Sequence, residues 1–288
     1  MMTDNQVPRA FVIGWPIAHS RSPLIHNYWL KMLGISGTYE RLAVRPEALA
    51  EFLATFPDRG FVGGNVTLPH KEMAYALCAQ TSASATRLQA VNTLWIESGK
   101  LCGDNTDVSG FLSCLDEDVP DWTNHCEKAV VIGAGGAARA IVYALMSRYH
   151  PHISLVNRSY GRGEDLIALV HSIDPNQPIE LHDFAGLPKI LASADLLVNT
   201  TSLGMANQPK LMIDLAPLPP HAVVVDIVYV PLETELLMAA QARGLKTSGG
   251  LGMLLHQAVP GFERWFGPCP VVTPELRALV ARDISGGG

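Results

Sequence analysis

The sequence predicts an α/β protein in two parts, the second of them a doubly wound parallel sheet. Three observations carry this. Strand-like and helix-like runs alternate up to about Asn105; the apolar run 129–132 leads straight into a glycine-rich turn and a helical pattern; and a second alternating series follows. At 288 residues, with 48% hydrophobic and 17% charged side chains, the chain has the length for about two domains and enough apolar content for a core in each.

In the first series the strand candidates are residues 10–13, 38–44, 61–66 and 91–96, with 101–103 closing a hairpin after Ser98-Gly99. Helical periodicity covers 24–33, 46–56 and 71–88, with Pro23 suited to a first helical position and Ser22 to the N-cap before it. An acidic stretch (Asp116, Glu117, Asp118, Asp121, Glu127) reads as a solvated surface segment between the two series. Strands are then expected at 129–132, 153–156, 196–198 and 223–227, and helices at 136–148, 163–172 and 233–243. Residues 251–266 and 274–283 read as two closing helices with no further strand pattern.

Composition excludes several classes. A formal net charge of −6 argues against a nucleic-acid or anionic-membrane surface. The longest apolar stretch, 129–146, is broken by three glycines and Arg139, so it is a strand, turn and helix rather than a membrane span. Residues 1–9 are polar, with no hydrophobic signal segment. The five cysteines form no CxxC pair and read as thiols of a cytoplasmic protein, and the ten histidines form no HExxH cluster, so no metal is expected.

Three groups of residues carry chemistry. His19-Ser20-Arg21-Ser22-Pro23 sets two hydroxyls beside a helix start, an arrangement suited to a small carboxylate, although Ser-x-Ser-Pro is also ordinary capping chemistry. Asn65-Val66-Thr67-Leu68-Pro69-His70-Lys71, Val91-Asn92-Thr93 and Gly103-Asp104-Asn105-Thr106-Asp107 put polar groups at strand ends, where α/β proteins build sites. Taken singly, Lys71 reads as a surface charge and Asp104 and Asp107 as turn formers; together they favour a polar substrate with many hydroxyls. Gly133-Ala134-Gly135-Gly136-Ala137-Ala138 fits the dinucleotide turn, with strand before and helix after it. The next strand ends in Val156-Asn157-Arg158-Ser159 with Arg162 beyond. No carboxylate is there for a ribose hydroxyl, and two guanidiniums are there for a 2′-phosphate, so the cofactor expected is NADP.

Across nearly its whole length the chain resembles the shikimate dehydrogenases. The resemblance rests on GWPIAHSRSP (14–23), GGNVTLPHK (63–71), AVNTL (90–94), GDNTD (103–107), GAGGAARA (133–140), VNRS (156–159), NTTSLGM (199–205), DIVYVP (226–231) and GGLGMLLHQA (249–258), in the family's order. It implies a substrate domain over 1–106, an NADP-binding Rossmann domain over 107–250, and C-terminal helices over 251–288 that return to the substrate domain. It implies NADP-dependent, reversible reduction of 3-dehydroshikimate to shikimate, a step of aromatic amino-acid biosynthesis, by a monomer or homodimer. Ser20 and Ser22 match the family's carboxylate-binding serines; Asn65, Thr67, Asn92, Tyr229 and Gln257 match its substrate contacts; Lys71, paired with Asp107, matches its catalytic lysine. Gly133, Ala134, Gly135, Gly136, Ala137, Asn157, Arg158, Ser159, Arg162, Ile227 and Gly250 match positions lining the cofactor. Val230 departs from the polar residue many members carry there. Relatives that use quinate often alter the serine motif or the arginines, and both are intact in this sequence. A quinate/shikimate enzyme of relaxed cofactor choice and a non-catalytic NADP sensor are the alternative readings; the presence of Lys71 and Asp107 disfavours the sensor.

Overall fold

The computed structural model describes residues 7–286. The chain forms two compact units, one running up to Thr106 and taking in Gln257–Val280, the other comprising Asp107–His256 and the described residues from Ala281 on.

The first unit contains β1 (Arg9–Gly14), α1 (Ser22–Met32), β2 (Thr38–Ala43), α2 (Leu49–Thr55), β3 (Phe61–Val66), α3 (Lys71–Leu77), β4 (Gln80–Thr81), α4 (Ala83–Leu88), β5 (Thr93–Glu97) and β6 (Lys100–Asp104). Its sheet has the order β2-β1-β3-β5-β6-β4 and is mixed: β1 runs parallel to β2 and β3, and β5 antiparallel to β3 and β6. The β5–β6 connection is the expected hairpin. Ser98 and Gly99 have φ of +51° and +74°, the left-handed pair that a tight two-residue turn requires. On one face Phe11 is the hub of the core, with the rings of Phe52, Phe56 and Phe61 edge-on to it at 5.1–5.4 Å.

The second unit contains α5 (Asp107–Asp118), β7 (Lys128–Ile132), α6 (Gly136–Arg148), β8 (His152–Val156), α7 (Tyr160–Ile173), β9 (Ile179–His182), α8 (Leu187–Leu191), β10 (Leu196–Asn199), β11 (Val223–Asp226), α9 (Glu235–Ala242), β12 (Lys246–Gly249) and α10 (Gly250–His256). All six strands are parallel, in the order β12-β11-β10-β7-β8-β9. The direction of winding reverses between β7 and β10, and such a switch point opens a crevice at the carboxyl ends of the strands. β7 and β10 lie at the centre of this sheet, and the runs 129–132 and 196–199 are wholly buried, as continuous apolar strands covered on both faces should be. The chain closes with α11 (Val259–Phe266) and α12 (Pro274–Gly286). The indole of Trp265 on α11 donates to Leu94 O (2.8 Å), and that of Trp29 on α1 to Val271 O (3.0 Å), fastening the returning segment to the first unit.

Several expectations need correction. Residues 71–88 are not one helix. Cys78 turns extended, β4 pairs with β6, and Ser82 then caps α4 by accepting from Ala85 N (3.1 Å). Residues 251–266 divide at Gln257-Ala258, where Pro260 supplies the start of α11. The acidic stretch is solvent-exposed at Glu117, Asp118, Asp121 and Glu127 as expected, but it is structured: α5 runs to Asp118, Trp122 is buried, and Asp116 Oδ1 accepts from the Trp122 indole (2.8 Å). Ser22 is the first residue of α1 rather than its N-cap; Arg21 takes the cap position with no side-chain cap bond. β9 and β12 are additional strands at the two sheet edges, four residues each, β9 half polar and β12 (Lys-Thr-Ser-Gly) without an apolar side chain, too weakly patterned to read from sequence.

Candidate active site

Beside the N-terminus of α1 and the ends of β3, β5 and β6, the first unit assembles a dense polar network. Asn65, the penultimate residue of β3, is buried and has its amide orientation fixed: Nδ2 donates to Asn92 O (3.0 Å) and Thr93 Oγ1 (3.1 Å), and Oδ1 accepts from the Tyr39 hydroxyl (2.5 Å). Both amide hydrogens are therefore spent within the protein, and a ligand hydroxyl can meet Asn65 only at the remaining lone pair of Oδ1. Asn92 is equally constrained. Its Oδ1 accepts from Thr106 N (2.9 Å) and lies 3.0–3.1 Å from the Thr93 and Thr106 hydroxyls, so any bond it offers a ligand comes from its Nδ2. The Thr106 hydroxyl also reaches Gln257 O at 2.8 Å, which brings Gln257 to the same network.

Tyr39 is the centre of this arrangement. Its phenol lies against Ser22 as well as Asn65, and burial pushes its pKa well above the ordinary value, keeping it a neutral donor. The adjacent Ser20 accepts from Ser22 N (3.3 Å) through Oγ, while its carbonyl receives Arg41 Nε (2.7 Å). The two serines thus sit side by side at the α1 start, Ser22 buried and Ser20 half-buried. Thr67 follows β3, its backbone N–H bonded to Ile13 O (2.9 Å). Lys71 is the first residue of α3 and half-buried. The helix start beneath it is anchored by buried His70, whose Nε2 donates to Val44 O (2.7 Å). Asp107 opens α5 in the second unit. A groove of about 720 Å³ along edge strand β2, lined by Trp15, Arg41, Arg45 and Phe52 among others, contains none of the predicted site residues.

In the second unit, the turn after β7 is built for close approach. Gly133 has φ +107°, and a Cβ there would come within 2.6 Å of Thr200 Oγ1. At Gly135 and Gly136 a Cβ would meet nothing, so the backbone faces open space where α6 begins with no side-chain cap. Uncapped N–H groups at a helix N-terminus beside small residues suit a pyrophosphate. Asn157 Nδ2 donates to Ser159 O (2.7 Å), shaping the turn into α7. Arg158 and Arg162 are exposed at the N-terminal end of α7, whose first turn has no acidic residue. Two cations at a helix N-terminus oppose its dipole, and a bound anion there would offset the mismatch. These residues fit an NADP molecule.

Two family models match: the shikimate dehydrogenase substrate binding domain over residues 12–94, and shikimate / quinate 5-dehydrogenase over residues 118–233. A shikimate dehydrogenase (NADP(+)) of Methylocella silvestris is 60% identical over 277 residues, 96% of this chain and 97% of the relative. The chain belongs to the shikimate dehydrogenase family. Among solved members of this fold, the Thermus thermophilus shikimate 5-dehydrogenase in complex with NADP(H) and shikimate superposes with a TM-score of 0.81 at 35% identity, over 96% of this chain and 100% of that one. The Corynebacterium glutamicum quinate dehydrogenase in complex with NAD gives a TM-score of 0.88 at 32% identity, over 96% and 99%.

In this shikimate dehydrogenase family member, the sequence does not single out Tyr39, the hydroxyls of Thr93 and Thr106, or the hydrogen-bonded pair Asn199–Asp226. Tyr39 occupies a short, half-polar edge strand, where one aromatic reads as core. The threonines lay inside motifs already quoted, but only the structure shows their hydroxyls joining Asn65, Asn92 and Gln257.

Proposed function

We propose that the chain catalyses the reversible, NADP-dependent reduction of 3-dehydroshikimate to shikimate in aromatic amino-acid biosynthesis. What carries the reading is one combination within a single family member: a carboxylate- and hydroxyl-matching network in the first unit, and an uncapped glycine turn followed by two guanidiniums in the second. Ser20 and Ser22 take the substrate carboxylate, Asn65, Thr67, Asn92 and Gln257 take its hydroxyls, and Tyr229 also reaches the substrate. Gly133 to Ala137 cradle the pyrophosphate, Asn157, Arg158, Ser159 and Arg162 take the adenosine 2′-phosphate end, and Ile227 and Gly250 line the nicotinamide side. When bound, NADPH supplies the hydride. The Lys71 ammonium gives its proton to the oxygen of the carbonyl being reduced and recovers it in the reverse direction. The Asp107 carboxylate supports the charged lysine and accepts from a substrate hydroxyl.

With this assignment the substrate domain covers residues 1–106, the NADP domain 107–250 and the returning helices 251–288. The working form is a cytoplasmic monomer or homodimer with no nucleic-acid or membrane partner. Among the described residues no helix is long and apolar enough to cross a membrane. A quinate/shikimate enzyme of relaxed cofactor choice is the second reading, favoured by the likeness to a quinate dehydrogenase in complex with NAD. Nicotinamide absorbance with shikimate or quinate, each with NADP and NAD, separates the two. Turnover confined to shikimate with NADP supports the first reading; comparable turnover of quinate, or with NAD, overturns it in favour of the second; no turnover with either acid overturns both.

A further inference from the structure

At the C-terminal edge of the parallel sheet, Asp226 ends β11 with no exposed surface. Its carboxylate accepts three hydrogen bonds from three separate places. Oδ1 receives Asn199 Nδ2 (2.9 Å) from the end of β10 and Val228 N (3.1 Å) from its own loop, and Oδ2 receives the Thr234 hydroxyl (2.7 Å) from the N-cap of α9. Among the described residues no cation pairs with it, and burial pushes its pKa up against the pull of these three donors. Burying a carboxylate without a cation is costly, and a neutral side chain could fill the same volume at lower cost. What the carboxylate provides is one acceptor for three donors, drawn from β10, the loop after β11 and the start of α9.

The bonds lead into two loops. Asn199 Oδ1 accepts from Thr201 N (3.0 Å) and the Thr201 hydroxyl (2.8 Å), and its Nδ2 also reaches Leu203 O (3.2 Å), so the residue that meets Asp226 shapes the turn after β10 as well. On the other side, Ile227 N donates to Asn199 O (3.2 Å), and Ala206 N donates to Val230 O (2.8 Å). Gly250 closes against the same segment: a Cβ on it would stand 2.1 Å from Ile227 O. Tyr229 is therefore held between Val228, bonded to the carboxylate, and Val230, bonded to the loop after β10.

We propose that Asp226 is a positioning residue for the reaction, acting through Asn199, Val228 and Thr234 to fix the loop that presents Ile227 and Tyr229. This rests on the reading of Ile227 and Tyr229 as site residues. A charged acceptor makes each of these bonds shorter and stronger than a neutral one would, and misplacement of a positioning loop by about 1 Å can cost a hundredfold in rate. The effect falls on the nicotinamide and substrate end, because the adenosine end is held at the α7 start, on other strands.

The test is Asp226→Ala and Asp226→Asn, with shikimate kinetics and the affinity for adenosine 2′,5′-bisphosphate, a probe of the α7 start and the glycine turn that lacks the nicotinamide end. Asp226→Ala should lower kcat/KM for shikimate by roughly ten- to a hundredfold while the bisphosphate affinity stays within about threefold. Asp226→Asn, which keeps Oδ1 for Asn199 and Val228 but loses the charge and the acceptor for the Thr234 hydroxyl, should recover only part of that loss. Asn199→Ala and Thr234→Val each cut one arm and serve if Asp226→Ala does not fold; each should give a smaller loss of the same pattern. The proposal is overturned if kcat/KM in folded Asp226→Ala stays within threefold of the parent, if both Asn199→Ala and Thr234→Val do so where Asp226→Ala does not fold, or if bisphosphate affinity falls in step with kcat/KM. Tyr229→Phe and Ile227→Gly are measured alongside. If they leave kcat/KM unchanged, the reading of these two as site residues has failed; if they lower it and the Asp226 and Asn199 variants do not, the positioning role alone has failed.

Discussion

Tyr39 donates its hydroxyl to Asn65 Oδ1 over 2.5 Å from within a ring stack, its face lying 4.0 Å from that of His26 with the planes 9° apart. The two residues tie an edge strand to the end of β3, and Ser22 lies against the same phenol. Asn27 secures the backbone of Tyr39 as well, donating to its carbonyl (3.0 Å) and accepting from its N–H (3.1 Å). A residue that touches two expected substrate contacts at once sets both their rotamers and their hydrogen-bond polarity.

Tyr39→Phe should keep the stack and remove only the hydroxyl. Asn65 Oδ1 then loses its donor in a buried site, which costs about 1–3 kcal/mol of stability. The KM for shikimate should rise by roughly tenfold, with the NADP KM unchanged, since the cofactor turn belongs to the other unit. Thermal melts and two-substrate kinetics check both parts. An unchanged shikimate KM would show that Asn65 and Ser22 hold their geometry without the phenol.

His26 makes a prediction about pH. It is fully buried among Tyr39, Trp29, Phe262 and Trp265, and burial lowers its pKa to about 3, with the nearby Asn65 amide offsetting this only in part. Neither ring nitrogen reaches a hydrogen-bond partner. Between about pH 6.5 and 3 the unfolded chain binds a proton here that the folded chain refuses. The stability that neutral His26 permits is therefore complete above about pH 6.5 and is lost as pH falls below it, at up to about 1.4 kcal/mol per pH unit. His26→Phe should retain the stacking and remove this slope. Denaturant melts of parent and variant at pH 7, 5.5 and 4.5 measure the difference, and parallel pH dependences would reject the assignment.

Much of this was legible in the sequence, for physical reasons. β1 and β7 carry uninterrupted apolar runs at 10–13 and 129–132, and the glycine turn after β7 has a spacing that sterics demand, so these were readable without coordinates. β9 and β12 were not, because edge strands need not be apolar on both faces. Nor was the break at Cys78, where an edge pairing with β6 overrides a helical pattern. In the site, residue types were readable and polarity was not. That Asn65 has both amide hydrogens spent depends on Asn92 O and Thr93, which lie 27 and 28 positions away in the chain.

Arg158→Ala should discriminate between cofactors. Arg158 and Arg162 are exposed at the α7 start, where their charges oppose the helix dipole unless an anion is present. Losing one guanidinium from a phosphate contact should weaken NADP use by roughly ten- to a hundredfold, from about 1.5–3 kcal/mol per charged hydrogen bond. NAD lacks the 2′-phosphate, so its kcat/KM should change by less than about threefold. An equal loss with both cofactors would mean that Arg158 supports the turn rather than the phosphate.

Lys71 carries the last prediction. It opens α3 on a start fixed from beneath by His70 and Val44, so its ammonium is presented from a rigid position rather than a mobile loop. A positioned acid–base group contributes roughly 10²–10⁴-fold. Lys71→Ala should lose kcat on that scale, with the shikimate KM within several-fold of the parent and the NADP affinity intact. Asp107→Asn should also slow turnover. Two residues that serve one proton transfer act as a unit, so the double variant should be less impaired than the product of the single losses. Multiplicative losses would assign the two residues to independent tasks. Near-parental turnover in a folded Lys71→Ala protein would mean that the proton comes from another donor.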